Sequence, residues 1–326
     1  MSHPSDGVRL GRIGYLNVLP IYHPLESGQV PHGCTLVSGP PSYLNALMAD
    51  GGLDISSNSS IEYGRRPGNY LLVPDLAIGS KGPVQSVLLL SRRPLEQLEG
   101  ATILVSAQTH TSAVLLRLLL QDYVRVKAEF ATGDATAALA AGERPEAILA
   151  IGDEALTLRR HGDYPVHLDL GEAWREWTGL PFIFGVWVVR RESYAERPEA
   201  MAAACAALLR GKALGREQME RIVAMTAAKT PLSVEELRSY YAGLSYDLGA
   251  EERQGLTLFY DRLVGAGLLA EAPKLEFLDL PETHYDMVRA GIAMYGYYPS
   301  DEVKKDVLLS PVMKWKTVIL HVKKIP

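Results

Sequence analysis

Two short polar runs, each placed after an apolar stretch, concentrate the groups in this chain that could do chemistry. Ser56, Ser57, Asn58, Ser59 and Ser60 follow Ile55 in ISSNSSIEYGRR, and Thr109, Thr111 and Ser112 follow the apolar ATILVS segment in QTHTSAVLLRLLLQDY. Hydroxyls and carboxamides donate and accept hydrogen bonds but are not ordinary bases. SSIE ahead of a helical stretch reads as a capping box, with Glu62 reaching back, or as a direct contact to a ligand. Both can hold, because a helix start with free amides is itself an anion site. Thr109, Thr111 and Ser112 carry the same ambiguity, as candidate caps of a helix whose apolar face includes Val114, Leu115, Leu118 and Leu119. Two helix starts facing one cleft favour a substrate bearing carboxylates.

Other chemistries lack their signatures. No GxGxxG follows the first apolar strand, and GxxxxGK[ST], HExxH and GxSxG do not occur. The eight histidines have no metal-ligand spacing, and Cys34 and Cys205 are too few for a disulfide framework or a Cys-rich metal site. With 33 Lys+Arg against 38 Asp+Glu the formal charge is -5, so a basic nucleic-acid-tracking protein is excluded. No apolar run approaches the roughly 18 residues that a membrane span needs. The expected compartment is the cytoplasm. Across 326 residues, 47% apolar and 22% charged types predict packed globular structure with room for two domains.

The elements that must position the polar runs alternate between strand and helix. Arg9 to Tyr15 reads as a strand, and Pro41 to Asp50 as a helix stopped by Gly51 and Gly52. PVQSVLLLS at 83–91 is continuous in Val and Leu, as parallel central strands tend to be. ATILVS, AILAI and PFIFGVWVVR add strands, separated by an Ala-rich helix and followed by helices from Pro198 onward. Leu256, Phe259, Tyr260 and Leu263 recur at helical spacing and predict a helix docked on the first domain. The grammar predicts two α/β domains crossed twice by the chain, after the strand at 84–91 and at the strand 182–190. Domain one would be discontinuous, 1–92 plus 190–278, with domain two at 93–189 and a ligand cleft between them. The polar run after Ile55 would then lie at the carboxyl edge of a sheet, where open α/β folds bind ligands.

Several blocks in order carry a resemblance. GRIGYLNVLPIYHPLE, GPPSYLNALMADGGLDISSNSSIEYGRR, YLLVPDLAIGSKGPVQSVLLLS and AILAIGDEAL resemble the chorismate dehydratases of the futalosine route to menaquinone, over about residues 8–278. The related 1,4-dihydroxy-6-naphthoate synthases open their first loop with a Ser-Pro-Cys-Pro-Asn-Asp pattern; here Tyr15-Leu16-Asn17 stands in its place. The resemblance implies a two-lobed fold like that of periplasmic solute-binding proteins, and catalysis without a metal or organic cofactor. It also implies a cleft receiving Asn17, Ser56 to Ser60, Ser86, Ser106, Thr109, Thr111, Ser112 and Asp153.

The implied reaction eliminates water from chorismate to give 3-[(1-carboxyvinyl)oxy]benzoate. A proton leaves the ring carbon bearing the enolpyruvyl ether, and the neighbouring hydroxyl departs. The resulting carbanion is conjugated with the ring carboxylate, so donors around that carboxylate gain value as charge arrives. Thr111, Ser112 and their helix-start amides are the expected carboxylate holders. Ser86 and Asn17 are expected to orient the ring, its carboxylate or its hydroxyl. For the base, Asp153 follows a strand, though an Asp there can equally cap the next helix. His110 has a suitable ordinary pKa but can point outward. The substrate's own enolpyruvyl carboxylate is a further option, and it suits a cleft of Ser, Thr and Asn whose task is orientation.

Rival expectations are the naphthoate synthase and a non-catalytic intracellular carboxylate sensor, since the same fold serves both. Trp174, Trp177 and Trp187 could serve a homodimer interface or simply the core. From about Leu280 the tail LPETHYDMVRAGIAMYGYYPSDEVKKDVLLSPVMKWKTVILHVKKIP resembles part of bacterial alanine racemase, an atypical segment over 279–326. It carries neither that enzyme's cofactor lysine nor the pattern around its catalytic tyrosine, so no racemase activity is expected.

Overall fold

The computed structural model describes residues 7–280; the racemase-like tail beyond them lies outside the described residues. Among the described residues eleven strands form two sheets. The first sheet contains β1 (Val8–Ile13), β2 (Cys34–Gly39), β3 (Ile55–Ser59), β4 (Tyr70–Ser80), β10 (Phe182–Arg190) and β11 (Leu244–Ser245), in the order β11-β4-β10-β3-β1-β2. The second contains β5 (Val87–Ser91), β6 (Thr102–Val105), β7 (Glu129–Thr132), β8 (Ala147–Ile151) and β9 (Val166–Asp169), in the order β7-β6-β8-β5-β9. Each sheet is the floor of one lobe, as the two-lobed α/β expectation requires.

Helices cover both sheets. In chain order they are α1 (Leu19–Glu26), α2 (Pro41–Ala49), α3 (Ser60–Arg65), α4 (Thr111–Leu118), α5 (Ala135–Ala140) and α6 (Gly152–Leu158). Then come α7 (Leu170–Thr178), α8 (Arg191–Glu196), α9 (Pro198–Glu217), α10 (Met219–Ala227), α11 (Val234–Gly243) and α12 (Ala250–Gly265). Helix α4 runs on into a π-helical turn, Leu119–Val124, which helical spacing alone does not signal. Among the described residues no helix is long and apolar enough to cross a membrane.

Both chain crossings come one element earlier than the sequence spacing suggests. Strand β5 pairs with β8 and β9 and so belongs to the second lobe, while β10 pairs with β3 and β4 and belongs to the first. The crossings are therefore the segment 81–86 and the segment around α7. A continuous apolar run shows only that a strand is covered on both faces, not which sheet it joins. Nor does it show direction: β5 is antiparallel to both neighbours. The chain returns to the first sheet at its described end, where the Leu278 N–H donates to Leu72 O at 2.8 Å.

Each lobe has its own apolar interior. In the second, Leu88, Leu90, Ile148, Ala150, Ala155 and Tyr164 form one buried cluster. In the first, Trp187 is fully buried and its indole N–H donates to the Tyr22 hydroxyl, which in turn donates to Gly11 O. Trp174 is equally buried, edge-on to Phe182 and Phe259 at 5.2 and 6.1 Å. Satisfied and enclosed, these two indoles are core side chains and offer no interface. Trp177 is half-buried beneath the Arg262 guanidinium, 4.4 Å from the ring. Phe259, Tyr260 and their spaced partners on α12 are buried, the docking that their period implied.

Candidate functional site

Strand ends from both sheets meet at one cavity of about 710 Å³, its open mouth included. The end of β1 and its loop supply Ile13, Tyr15 and Asn17, and the end of β3 supplies Ser57, Asn58 and Ser59. From the second lobe come Ser86 and Val87 at the start of β5, and Ile151 and Gly152 at the end of β8. Because β5 is antiparallel to β8, its beginning lies at the same sheet edge as the end of β8. The loop into α4 contributes Gln108, Thr109, His110, Thr111 and Ser112, and β10 contributes Phe184 and Gly185.

Nine of the residues singled out in the sequence therefore share this cavity: Asn17, Ser57, Asn58, Ser59, Ser86, Thr109, His110, Thr111 and Ser112. Four others do not line it. Ser56 turns toward β1, where its hydroxyl would lie 2.4 Å from a Cβ at residue 11, a close approach that only Gly11 permits. Ser60 donates to Ile183 O at 2.6 Å, and the Ser106 hydroxyl accepts the Gln108 N–H at 3.2 Å. The fourth, Asp153, points its carboxylate at the first loop and accepts the Leu16 N–H at 3.1 Å. Burial raises the Asp153 carboxyl above the ordinary carboxylate range, opposed by that N–H.

The expected capping box is absent. Ser59 precedes α3 without a side-chain cap, and Glu62 instead pairs with Arg66 at 2.5 Å. The cap comes from the opposite lobe: the Ile61 N–H donates to the Thr111 hydroxyl at 3.1 Å. More bonds cross the cleft beside it. The Ser42 hydroxyl donates to Gln108 Oε1 at 2.5 Å, and the Asn45 amide nitrogen lies 3.4 Å from His110 Nδ1. His110 thus lines the cavity with one ring nitrogen already engaged. On the other flank the Tyr15 ring packs over Gly152, whose φ of +59° and 3.0 Å clearance to that ring suit glycine alone.

The cavity wall mixes apolar side chains such as Ile13, Ile78, Ile151 and Phe184 with uncharged polar ones, and carries no Arg or Lys among the described residues. Several of its buried polar atoms have no hydrogen-bond partner in the protein: Asn17 Oδ1, Ser57 Oγ, Asn58 Oδ1 and Nδ2, and Thr109 Oγ1. Each such group costs about 1–3 kcal/mol if left unsatisfied, so their gathering in residues that line one space makes it the candidate ligand site. The first-turn amides of α4 have no intrahelical acceptor and add further donors. Two titratable groups line the space, His110 and Tyr15, and the Tyr15 hydroxyl is pushed up by burial and then by the nearby Asp153 and Glu154. No cluster of metal-ligating side chains is present among the described residues.

Sequence reasoning missed the groups that hold the first loop in place. Tyr246 donates to Asn17 O at 2.7 Å and Tyr241 to Leu16 O at 3.2 Å, from a segment more than 220 positions away in the chain. The fully buried Tyr240 hydroxyl lies near Ser86 without a well-formed hydrogen bond. Tyrosines in SYYAGLSYD carry only a packing signal in the sequence, so nothing there distinguished them. Gln108 and Phe184 were likewise unmarked.

Comparison with known proteins agrees with this architecture. A chorismate dehydratase of Thermus thermophilus is 28% identical over 270 residues, covering 78% of this chain and 94% of its own length. A 1,4-dihydroxy-6-naphtoate synthase of the same organism is 27% identical over 279 residues, covering 84% of this chain and all of its own. The alkanesulfonate-binding protein of Xanthomonas axonopodis pv. citri bound to MOPS shares the fold, with a TM-score of 0.62 at 17% identity over 85% of this chain and 98% of its own. Separately, a 50-residue stretch at the C-terminal end is 60% identical to an alanine racemase of Desulfosudis oleivorans, 15% of this chain and 13% of the racemase. The family model described as "Menaquinone biosynthesis" matches residues 8–264, and the chain belongs to that family.

Proposed function

We propose that the protein is a chorismate dehydratase, removing water from chorismate to form 3-[(1-carboxyvinyl)oxy]benzoate. The observation that carries this reading is the set of unpartnered neutral polar groups converging on one cavity from both lobes. A ring with two carboxylates and a hydroxyl can satisfy such donors and acceptors together. Neutral donors also fit the chemistry: charge moves into the ring carboxylate as the proton leaves, and donors fixed in advance gain strength at that moment. Overall similarity does not separate the two Thermus enzymes, at 28% and 27% identity, so the first loop supports the choice. Tyr15-Leu16-Asn17 occupies it, with Tyr15 packed on Gly152.

In this reading Thr109, Ser112 and the first-turn amides of α4 hold one carboxylate. Ser57 and Asn58 face them from the other lobe, and Asn17 and Ser86 orient the ring and its departing hydroxyl. Asp153 is kept from the ring by its place outside the cavity wall. The substrate's enolpyruvyl carboxylate then takes the ring proton, the electron pair passes into the conjugated carboxylate, and hydroxide leaves as the ring becomes aromatic. Proton and hydroxide together make the water released.

Purified protein incubated with chorismate, followed by chromatography and mass, should yield the enolpyruvyl-benzoate. Tight binding without product would replace this reading with a carboxylate sensor. Formation of 1,4-dihydroxy-6-naphthoate by the protein, with chorismate inert, would replace it with the naphthoate synthase.

A further inference from the structure

The two crossings between the lobes are tied together by a single carboxylate. Asp169 ends β9 and caps α7, the second crossing, with its Oδ1 accepting the N–H groups of Gly171 at 3.0 Å and Glu172 at 3.1 Å. The same side chain reaches the first crossing, where Val84 N–H donates to Oδ1 at 3.0 Å and Gln85 N–H to Oδ2 at 2.6 Å. Gln85 holds a φ of +61°, in the left-handed region that residues with a side chain rarely occupy. Such a conformation persists only where its surroundings fix it. The next residue is Ser86, which is buried, lines the cavity and accepts the Gly152 N–H on its carbonyl at 2.7 Å.

We infer that Asp169 is a positioning residue for Ser86: its carboxylate holds the left-handed turn at Gln85 and thereby aims the Ser86 hydroxyl into the cavity. The inference rests on the proposed dehydratase reading for its catalytic consequence, but not for its geometry. Because the carboxylate grips both crossings, the aim of Ser86 is set by the hinge and not by either lobe alone.

The test exploits the division of labour between the two oxygens. In Asp169→Asn the amide oxygen takes the position that accepts three N–H groups, and the NH₂ then faces the Gln85 N–H, donor against donor. The cap of α7 survives while the hold on Gln85 is lost. For chorismate turnover, kcat should fall about 100-fold, the scale of a misplacement near 1 Å, with KM changed by less than about threefold. In the Gln85→Gly background the same Asp169 change should cost less than about tenfold in kcat, because glycine keeps the turn without the carboxylate. A loss arising only from the α7 cap would be equal in both backgrounds, and would overturn the inference.

Amide hydrogen exchange over 84–87 supplies a second readout, independent of the reaction. It should accelerate at least tenfold in Asp169→Asn, and unchanged exchange there would also overturn the inference. If the wild-type protein forms no product from chorismate, the functional reading falls while the exchange result still decides whether Asp169 holds the turn. Faster exchange with undiminished kcat in Asp169→Asn would show the turn to be irrelevant to Ser86.

Discussion

Asp153 and Asp169 look alike in the chain and behave differently in the fold. Each stands where a strand of the second lobe gives way to a helix, Asp153 in the first turn of α6 and Asp169 at the end of β9, and burial raises both carboxyls above the ordinary range. Asp153 accepts one N–H, from Leu16 across the cleft, whereas Asp169 accepts four, from both crossings. Neither lines the cavity. A carboxylate at a strand end is thus as readily a fastener as a base, and the number of amides it gathers decides how much of the fold depends on it.

The sharpest way to test this contrast is to remove a group that does reach the cavity. Ser86→Ala and Asn17→Ala should each lower kcat by about 100-fold or more, the scale for a donor aimed at developing charge, with folding unaltered by circular dichroism. Retained turnover in both would leave the cavity without the chemistry assigned to it.

The next largest effect is on stability. Asp169→Ala strips the acceptor from four N–H groups and should cost about 3 kcal/mol, whereas Asp153→Ala strips one and should cost about 1 kcal/mol. Urea denaturation of the two variants measures the difference, and equal losses would erase the distinction.

Acidity separates the carboxylates further. A group held above its unfolded pKa binds its proton more tightly when folded, so the contributions of Asp153 and Asp169 are greatest at low pH. They fade as pH rises from the ordinary carboxylate range through the raised values. Asp54 has the opposite sign. Burial pushes it up, but bonds from Arg9 and Ser193 outweigh that and hold it at about 2. Its contribution is therefore present at neutral pH and lost as pH falls from about 4 toward 2. Urea midpoints measured against pH should show a flatter acid arm in Asp54→Asn and not in Asp169→Asn.

The smallest expected change is in Asp153→Asn. Its amide oxygen can still accept the Leu16 N–H, so turnover of chorismate should stay within about threefold of wild type. A thousandfold loss with intact binding would make Asp153 the base and remove the substrate from that role.

Helices and strands were legible because apolar spacing reports burial; the helix carrying Leu256, Phe259, Tyr260 and Leu263 and the strand AILAI are both present. Sheet membership was not, because β5 is apolar on both faces and such a strand fits either lobe. Within the site, the polar runs announced the cavity but not which residues face it. Ser57 and Ser56 differ by one position and point to opposite surroundings, a distinction that five consecutive polar residues conceal by having no apolar face to set the register. The cross-cleft cap of Ile61 by Thr111 and the tyrosine contacts to the first loop depend on residues 50 and more positions apart. No local rule reads those.

A wall without Arg or Lys among the described residues has a consequence for the proposed turnover. Substrate and aromatic product would carry the same two carboxylates, and guanidinium or ammonium partners would grip both almost equally, slowing departure. Uncharged hydroxyls and carboxamides bind through direction more than through net charge, so flattening of the ring at aromatisation shifts acceptors off their donors. In the proposed reaction, release would then be driven by the change of molecular shape itself.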